Sequence, residues 1–227
     1  MRDKILGVGS LWFALILMSL SPVMAQDGAK LIEYVWSQEF DKAKELVRSG
    51  VDVNYQDPSS GSTALMLACG YDFADMAKFL VEHGANVNLQ DKQGQTALMI
   101  AAYRSVELFN LLLSKGADIK VKDQEGKTAF THAWVGVLSE EVPLDVVETL
   151  LKKGADVNEA PDRGRAEGYT CLMMAARNDR PELVSFLITK GADVNARAKD
   201  GKTALALAQE EGHSEGVKLL KAAGAKQ

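Results

Sequence analysis

Little in this sequence suits chemistry done by side chains. The 227 residues include two cysteines and three histidines. His83, His132 and His213 lie far apart, and neither a His-Glu-x-x-His nor a Cys-x-x-Cys spacing occurs, so no metal-ligand set is indicated. No glycine loop has the spacing that cradles phosphate. Cationic runs are missing as well. Lys and Arg number 26 against 31 Asp and Glu, a net charge of -5 without a basic block, which gives nucleic acid no footprint. Aromatics make up only 7% of a chain that is 47% hydrophobic, a balance suited to helices packed closely through small residues. No Asn-x-Ser/Thr sequon occurs, which favours a bacterial periplasm over a eukaryotic secretory route for an exported chain.

Export is the expectation raised by the first 25 residues. Arg2 and Lys4 precede an apolar run from Ile5 to Leu20, Pro22 breaks it, and Val23-Met24-Ala25 supplies small residues for a signal peptidase. The pattern predicts a signal peptide over 1–25 with cleavage after Ala25, leaving a periplasmic chain with no membrane attachment. An uncleaved anchor is the competing reading, for which the run is short.

The remaining sequence is periodic. Thr63, Thr96, Thr128, Thr170 and Thr203 each follow Gly-x and precede a small residue, at steps of 33, 32, 42 and 33 residues. Such a period marks a stacked repeat. Each threonine is placed to cap a first helix. A leucine-rich run ends each second helix, and Gly50, Gly84, Gly116, Gly154 and Gly191 sit at helix C-termini. Polar turns such as Asp91-Lys92-Gln93-Gly94 then return the chain to the next unit.

Two units depart from the rule. The third is one residue short near Tyr103-Arg104-Ser105, which predicts a tighter turn. The fourth carries extra residues expected between its helices, around Trp134 to Pro143, and a longer finger from Ala160 to Glu167. Insertions in repeats map to loops. Cys69 takes an alanine position in the second unit, and Cys171 opens a helix in the fifth, where a thiolate is somewhat favoured but a small buried space-filler is the expected role. Three steps of about 8–10 Å separate them, against a bridging limit near 7 Å, so two free thiols are expected.

With Asp-x-x-Gly-x-Thr-Ala-Leu-x-x-Ala and Leu-Leu-x-x-Gly-Ala-Asp-Val-Asn recurring from about Ala29 to Ala225, the chain resembles the ankyrin repeat family. Alanine or Cys171 replaces the family's usual proline after the threonine. The resemblance implies an all-α solenoid of about six helix-turn-helix units with extended β-turn fingers. The units are placed at 27–57, 58–90, 91–122, 123–164, 165–197 and 198–227, within one domain over 26–227. It further implies a non-enzymatic, monomeric protein-binding module without cofactor or metal, reading its partner through finger tips and the exposed side of the first helices. Mapped here, the expected positions on the fingers are Lys92, Gln93, Gln95, Gln124, Glu125, Lys127, Tyr169, Lys199, Asp200 and Lys202. On the first helices they are Tyr71, Tyr103, Arg104, Arg177 and Asn178. An immunity-type partner of an exported enzyme or toxin, or a shield against oxidative damage, is a narrower form of the same reading. An enzyme would have only His132, Glu140 and Glu141 to work with.

Overall fold

The computed structural model describes residues 26–161 and 167–226. The expected signal peptide and its cleavage point, and residues 162–166 of the long finger, lie outside the described residues. Helix α1 covers 26–36. It is followed by α2 (Phe40–Arg48), α3 (Ala64–Gly70), α4 (Ala74–Glu82), α5 (Ala97–Arg104) and α6 (Val106–Ser114). Then come α7 (Ala129–Leu138), α8 (Asp145–Lys152), α9 (Cys171–Arg177), α10 (Pro181–Thr189), α11 (Ala204–Glu210) and α12 (Ser214–Ala222). No strand occurs among the described residues, and the expected all-α repeat solenoid is what the chain forms.

Local chemistry starts each unit. The five repeat threonines are extended N-caps, and their hydroxyls accept from the amides of Met66, Met99, Phe130, Met173 and Ala206 at 3.1–3.4 Å. A cap of this type stabilises a helix by about 1 kcal/mol, which matters for first helices only seven to ten residues long. The fingers are β-turns: the Gly94 amide donates to the Asp91 carbonyl at 2.9 Å, while Asp91 Oδ1 accepts from the amides of Gln93 and Gln95. Gly94 has φ +78°, and a Cβ there would lie 2.9 Å from Asp123 Cα in the next finger. Backbone conformation and the approach of the neighbouring finger both require glycine.

First helices pack on first helices (α3, α5, α7, α9, α11 in sequence) and second on second, giving two layers with the core between. In the third unit Leu98, Ala101, Ala102, Leu108, Phe109 and Leu112 are at most 1% exposed. Small side chains at Ala68, Ala101, Ala133, Ala175 and Ala208, all 0% exposed, let the first-helix layer close up.

A row of side-chain clamps adds to the packing. Asn54 Oδ1 accepts from the Asn86 amide at 2.7 Å, and Asn54 Nδ2 donates to the Gly84 carbonyl at 3.2 Å. Asn88 repeats this with Asp118 and Gly116, and Asn195 with Lys226 and Gly224. Asn158 accepts from the Asp193 amide at 2.7 Å. Gln56 and Gln90 each donate onward to the next finger, to the carbonyls of Gln90 and Lys122. Between the third and fourth units both clamp positions are lysines, Lys120 and Lys122.

The irregular units have physical causes. Gln38, Asp72 and Asp179 hold left-handed φ of 62°, 57° and 51° between paired helices. The short third unit omits that residue, and Ser105 both ends α5 and caps α6. The fourth unit corrects one expectation: Trp134 to Leu138 do not form a loop but lengthen α7 to ten residues, and the turn proper begins at Ser139. Trp134 is 0% exposed where other units have Cys69, Ala102 and Ala176, so its apolar mass draws the inserted stretch into the helix. Cys171 is the buried space-filler that its position leads one to expect. Burial in the packed layer, with the charge of Glu159 adding, pushes its thiol well above the ordinary range, so the helix start confers no thiolate. Cys69 is pushed up to about 12, mainly by burial. Both are free thiols, as the repeat spacing predicts.

Candidate protein-binding surface

The finger positions come together in one line because the repeat translates them, and much of their polar chemistry is turned on one another. The Lys92 amide donates to the Ser60 carbonyl at 2.8 Å and its ammonium to the Pro58 carbonyl at 2.6 Å. Gln124 donates through its amide to the Gln93 carbonyl at 2.8 Å and through Nε2 to the Lys92 carbonyl at 2.6 Å. Gln95 closes its own turn against Asp91. Glu125 pairs with Lys127, Lys199 with Glu167, and Lys202 with Glu210, each in direct contact. The Glu210 carboxylate raises the Lys202 ammonium's affinity for its proton. The Tyr169 hydroxyl donates to Asp200 Oδ2 at 2.9 Å. The Lys202 amide and then this hydroxyl hold the Asp200 carboxyl below its usual range.

The first-helix positions sit at the ends of their helices. Arg104 is exposed, yet its Nη1 donates to the Gly70 carbonyl at 3.2 Å, satisfying a C-terminal group of α3 in the preceding unit. Arg177 Nε lies 3.9 Å from Glu211, and Asn178 Nδ2 returns to the Met174 carbonyl at 2.7 Å. Tyr71 is 54% exposed and Tyr103 half-buried. The surface therefore divides into polar residues engaged within the array, in their own unit or the next, and apolar or aromatic ones such as Tyr71 turned outward.

Residue-type arguments missed part of the second group. Trp36, at 63%, is the most exposed large hydrophobic side chain among the described residues, and Val135 is 40% exposed. Leu67, Ile100 and Met174 are half-buried, each four residues after its capping threonine. The signal was the register itself. Gly70, Tyr103 and Val135 are each seventh after a capping threonine, and Trp36 takes that place in the first unit. His132, the most plausible reacting group, lies in α7 with Nε2 3.0 Å from Asp123 Oδ2, whose other oxygen accepts two backbone amides of the finger turn. That geometry ties a helix to its own finger. Glu140 is exposed and bound to Arg180 Nη2 at 2.8 Å, a link to the fifth unit. Among the described residues no group of three or more His, Cys, Asp or Glu is placed to hold a metal.

A family model for ankyrin repeats (three copies) matches residues 31–123 and 135–227. The ankyrin repeat and KH domain-containing protein mask-1 of Caenorhabditis elegans is 32% identical over 178 residues, 78% of this chain and 6% of that protein. The palmitoyltransferase AKR1 of Lachancea kluyveri is 30% identical over 168 residues, 73% of this chain and 22% of that protein. The human 2-5A-dependent ribonuclease is 37% identical over 186 residues, 79% of this chain and 25% of that protein. The chain thus spans a quarter or less of the length of these relatives.

Proposed function

Because the chain belongs to the ankyrin repeat family, we propose that it is a non-enzymatic protein-binding module that is exported to a bacterial periplasm and holds one partner protein there. The observation that carries the reading is the row of large side chains along the first-helix layer, exposed Trp36, Tyr71 and Val135 with half-buried Tyr103 among them. Rigid aromatic anchors surrounded by polar residues are the composition of an energetic hot spot. The finger line beside it supplies a polar rim. Export rests on the apolar stretch from Ile5 to Leu20 and the Val23-Met24-Ala25 site.

Photo-crosslinking residues substituted singly at Tyr71, Tyr103 and Tyr169 test the surface in the producing cell. A single protein adduct from these positions, and none from Lys78 or Ser185 on the second-helix layer, is the expected result. Adducts spread equally over both faces, or none, would refute it. Osmotic-shock fractionation with N-terminal sequencing tests the location: release with Gln26 at the N-terminus is expected, and retention in the spheroplast with Met1 intact would overturn it.

A further inference from the structure

The exposed hydrophobic side chains gather at one edge of the array. Trp36, Tyr71 and Val135 all lie at or near the C-terminal ends of first helices, and half-buried Tyr103 stands between them. With neighbouring helices about 10 Å apart, the row runs about 30 Å across four units. Gly70, at the same register, leaves a notch between Trp36 and Tyr103, where an added Cβ would meet only Ile100 Cγ2, at 3.8 Å. The row continues into the helix turns. Tyr71 stacks on Phe73 at 5.6 Å, and Phe73 packs edge-on to Phe40 at 5.0 Å. Phe40, Phe73 and Met76, with Lys44, Asp75 and Glu107, line a groove of about 430 Å³.

The same edge is acidic. Asp41, Asp75, Glu107 and Asp145 fall in the first turns of α2, α4, α6 and α8, where carboxylates complement the helix ends. Asp72 occupies the left-handed turn beside Tyr71. No described Lys or Arg forms an ion pair with any of these five. Of the cations nearby, Lys42 pairs with Glu39 and Arg104 donates to the Gly70 carbonyl, while Lys44, 5.8 Å over the Phe79 ring, is the one cation in the groove lining against the two carboxylates Asp75 and Glu107.

We propose that this apolar row and its acidic edge take a cationic amphipathic segment of the partner, one that alternates Lys or Arg with large apolar side chains. The apolar residues seat on Trp36, Tyr71, Tyr103 and the groove over Phe40 and Phe73. The cations face Asp72, Asp75 and Glu107. The inference rests on the protein-binding reading and names the chemistry of the segment bound. An anionic lipid surface, the other common target of exposed tryptophan, is repelled by this edge.

Fluorescence anisotropy of labelled model peptides with the full chain tests it. An amphipathic Lys/Leu peptide should bind about tenfold tighter than a Glu/Leu or a Lys/Ser peptide of the same length at low salt, with the lead over Glu/Leu shrinking as salt shortens the screening length. Asp75→Asn with Glu107→Gln should weaken the Lys/Leu peptide several-fold and leave Glu/Leu no worse. Trp36→Ala with Tyr71→Ala, both exposed, should weaken it about tenfold without loss of helicity. Equal binding of Lys/Ser and Lys/Leu, indifference to both variant pairs, or tighter binding to anionic vesicles would overturn the proposal. A single crosslinked partner recovered at Tyr71 and Tyr103, without any peptide preference, would sink this inference and leave the protein-binding reading intact.

Discussion

Lys120→Asn should stabilise the array, and the gain can be worked from the clamps on either side. The backbone at Lys120 is already in the clamping conformation. Its amide donates to Asp118 Oδ1 at 2.8 Å, as Asn88 does to Asn86 at 3.0 Å and Asn158 to Asp156 at 2.9 Å. Only the bridging amide is missing. By analogy with Asn88, an asparagine would accept from the Asp156 amide and donate to the Gly154 carbonyl, two bonds joining the third and fourth units. A net 0.5–1.5 kcal/mol per bond, reduced by exposure, gives about 1 kcal/mol. In a linear array that increment falls on one interface. For a chain of this length it corresponds to about 2–4 °C in Tm. Asn88→Ala should lose a similar amount, and Lys120→Ala close to nothing. Urea unfolding followed by far-UV circular dichroism reads all three at one protein concentration. If the third-fourth interface opens first, the wild-type transition is broad and Lys120→Asn sharpens it. An unchanged midpoint and slope for Lys120→Asn, together with a clear loss for Asn88→Ala, would refute the geometric equivalence. No loss for Asn88→Ala would refute the clamp itself.

Two glycines inside helices should respond with opposite sign. A Cβ at Gly136 in α7 would lie 2.9 Å from the Tyr103 carbonyl oxygen and 2.8 Å from Val142 Cγ2, so Gly136→Ala should cost about 1–3 kcal/mol. Gly216→Ala in α12 meets only Ala208 Cβ at 3.8 Å and should gain about 0.5–1 kcal/mol; thermal melts of both test this. Glu159→Ala should cost about 1–3 kcal/mol, because Glu159 accepts from the Thr128 amide and hydroxyl and from the buried Thr131 hydroxyl at 2.7–3.0 Å; Glu159→Gln should recover part of it in the same assay. Cys69 and Cys171, both held protonated by burial, should resist a disulfide-exchange reagent at pH 8 in the native protein and react at once in denaturant; rapid native labelling would contradict the packing. Serine contacts hold Asp57 at about 2, chiefly the Ser59 hydroxyl and then the Ser60 amide. A lowered folded-state pKa gives stability that is complete above the ordinary carboxylate range and is lost as pH falls towards about 2, so Asp57→Asn should flatten the acid limb of the stability curve there and leave its neutral slope unchanged.

The unit plan was legible because each of its causes is local. A capping hydroxyl, a glycine after a leucine run and a turn aspartate act within a few residues, so Thr96, Gly116 and Asp91 declare their roles in one dimension. The short third turn was legible for the same reason: without a residue for the left-handed step, Ser105 has to serve both helices. The finger residues were harder, because their partners lie one repeat away. Lys92 and Gln124 read as outward polar groups until the neighbouring carbonyls of Pro58 and Lys92 are in place. Trp36 was missed for a related reason. Its unit lacks the capping threonine, so its register had to be counted back from Gly50 instead of forward from a cap.

The fourth unit shows how one large side chain redistributes the work of holding neighbours together. Trp134 fills a place the other interior units give to a small residue, and α7 gains about a turn to cover it. Its extension passes over the end of α5, and Gly136 lets the Tyr103 carbonyl approach. The third and fourth units are thereby joined by a broad first-helix contact, and it is here that both outer clamp positions are lysine. On the far side Glu159, standing where Leu89 and Val121 stand in other units, binds the Thr128 cap directly. Those bonds stay inside the fourth unit, so stability at the junction with the third comes from helix packing in place of the asparagine row. The apolar row on the first helices crosses the same junction, between Tyr103 and Val135, so a partner seated on it would bear on the one interface that lacks outer clamps. Binding and array stability should then be coupled: a ligand bridging Tyr103 and Val135 should sharpen unfolding in the wild type more than in Lys120→Asn, where the clamp already joins the two halves.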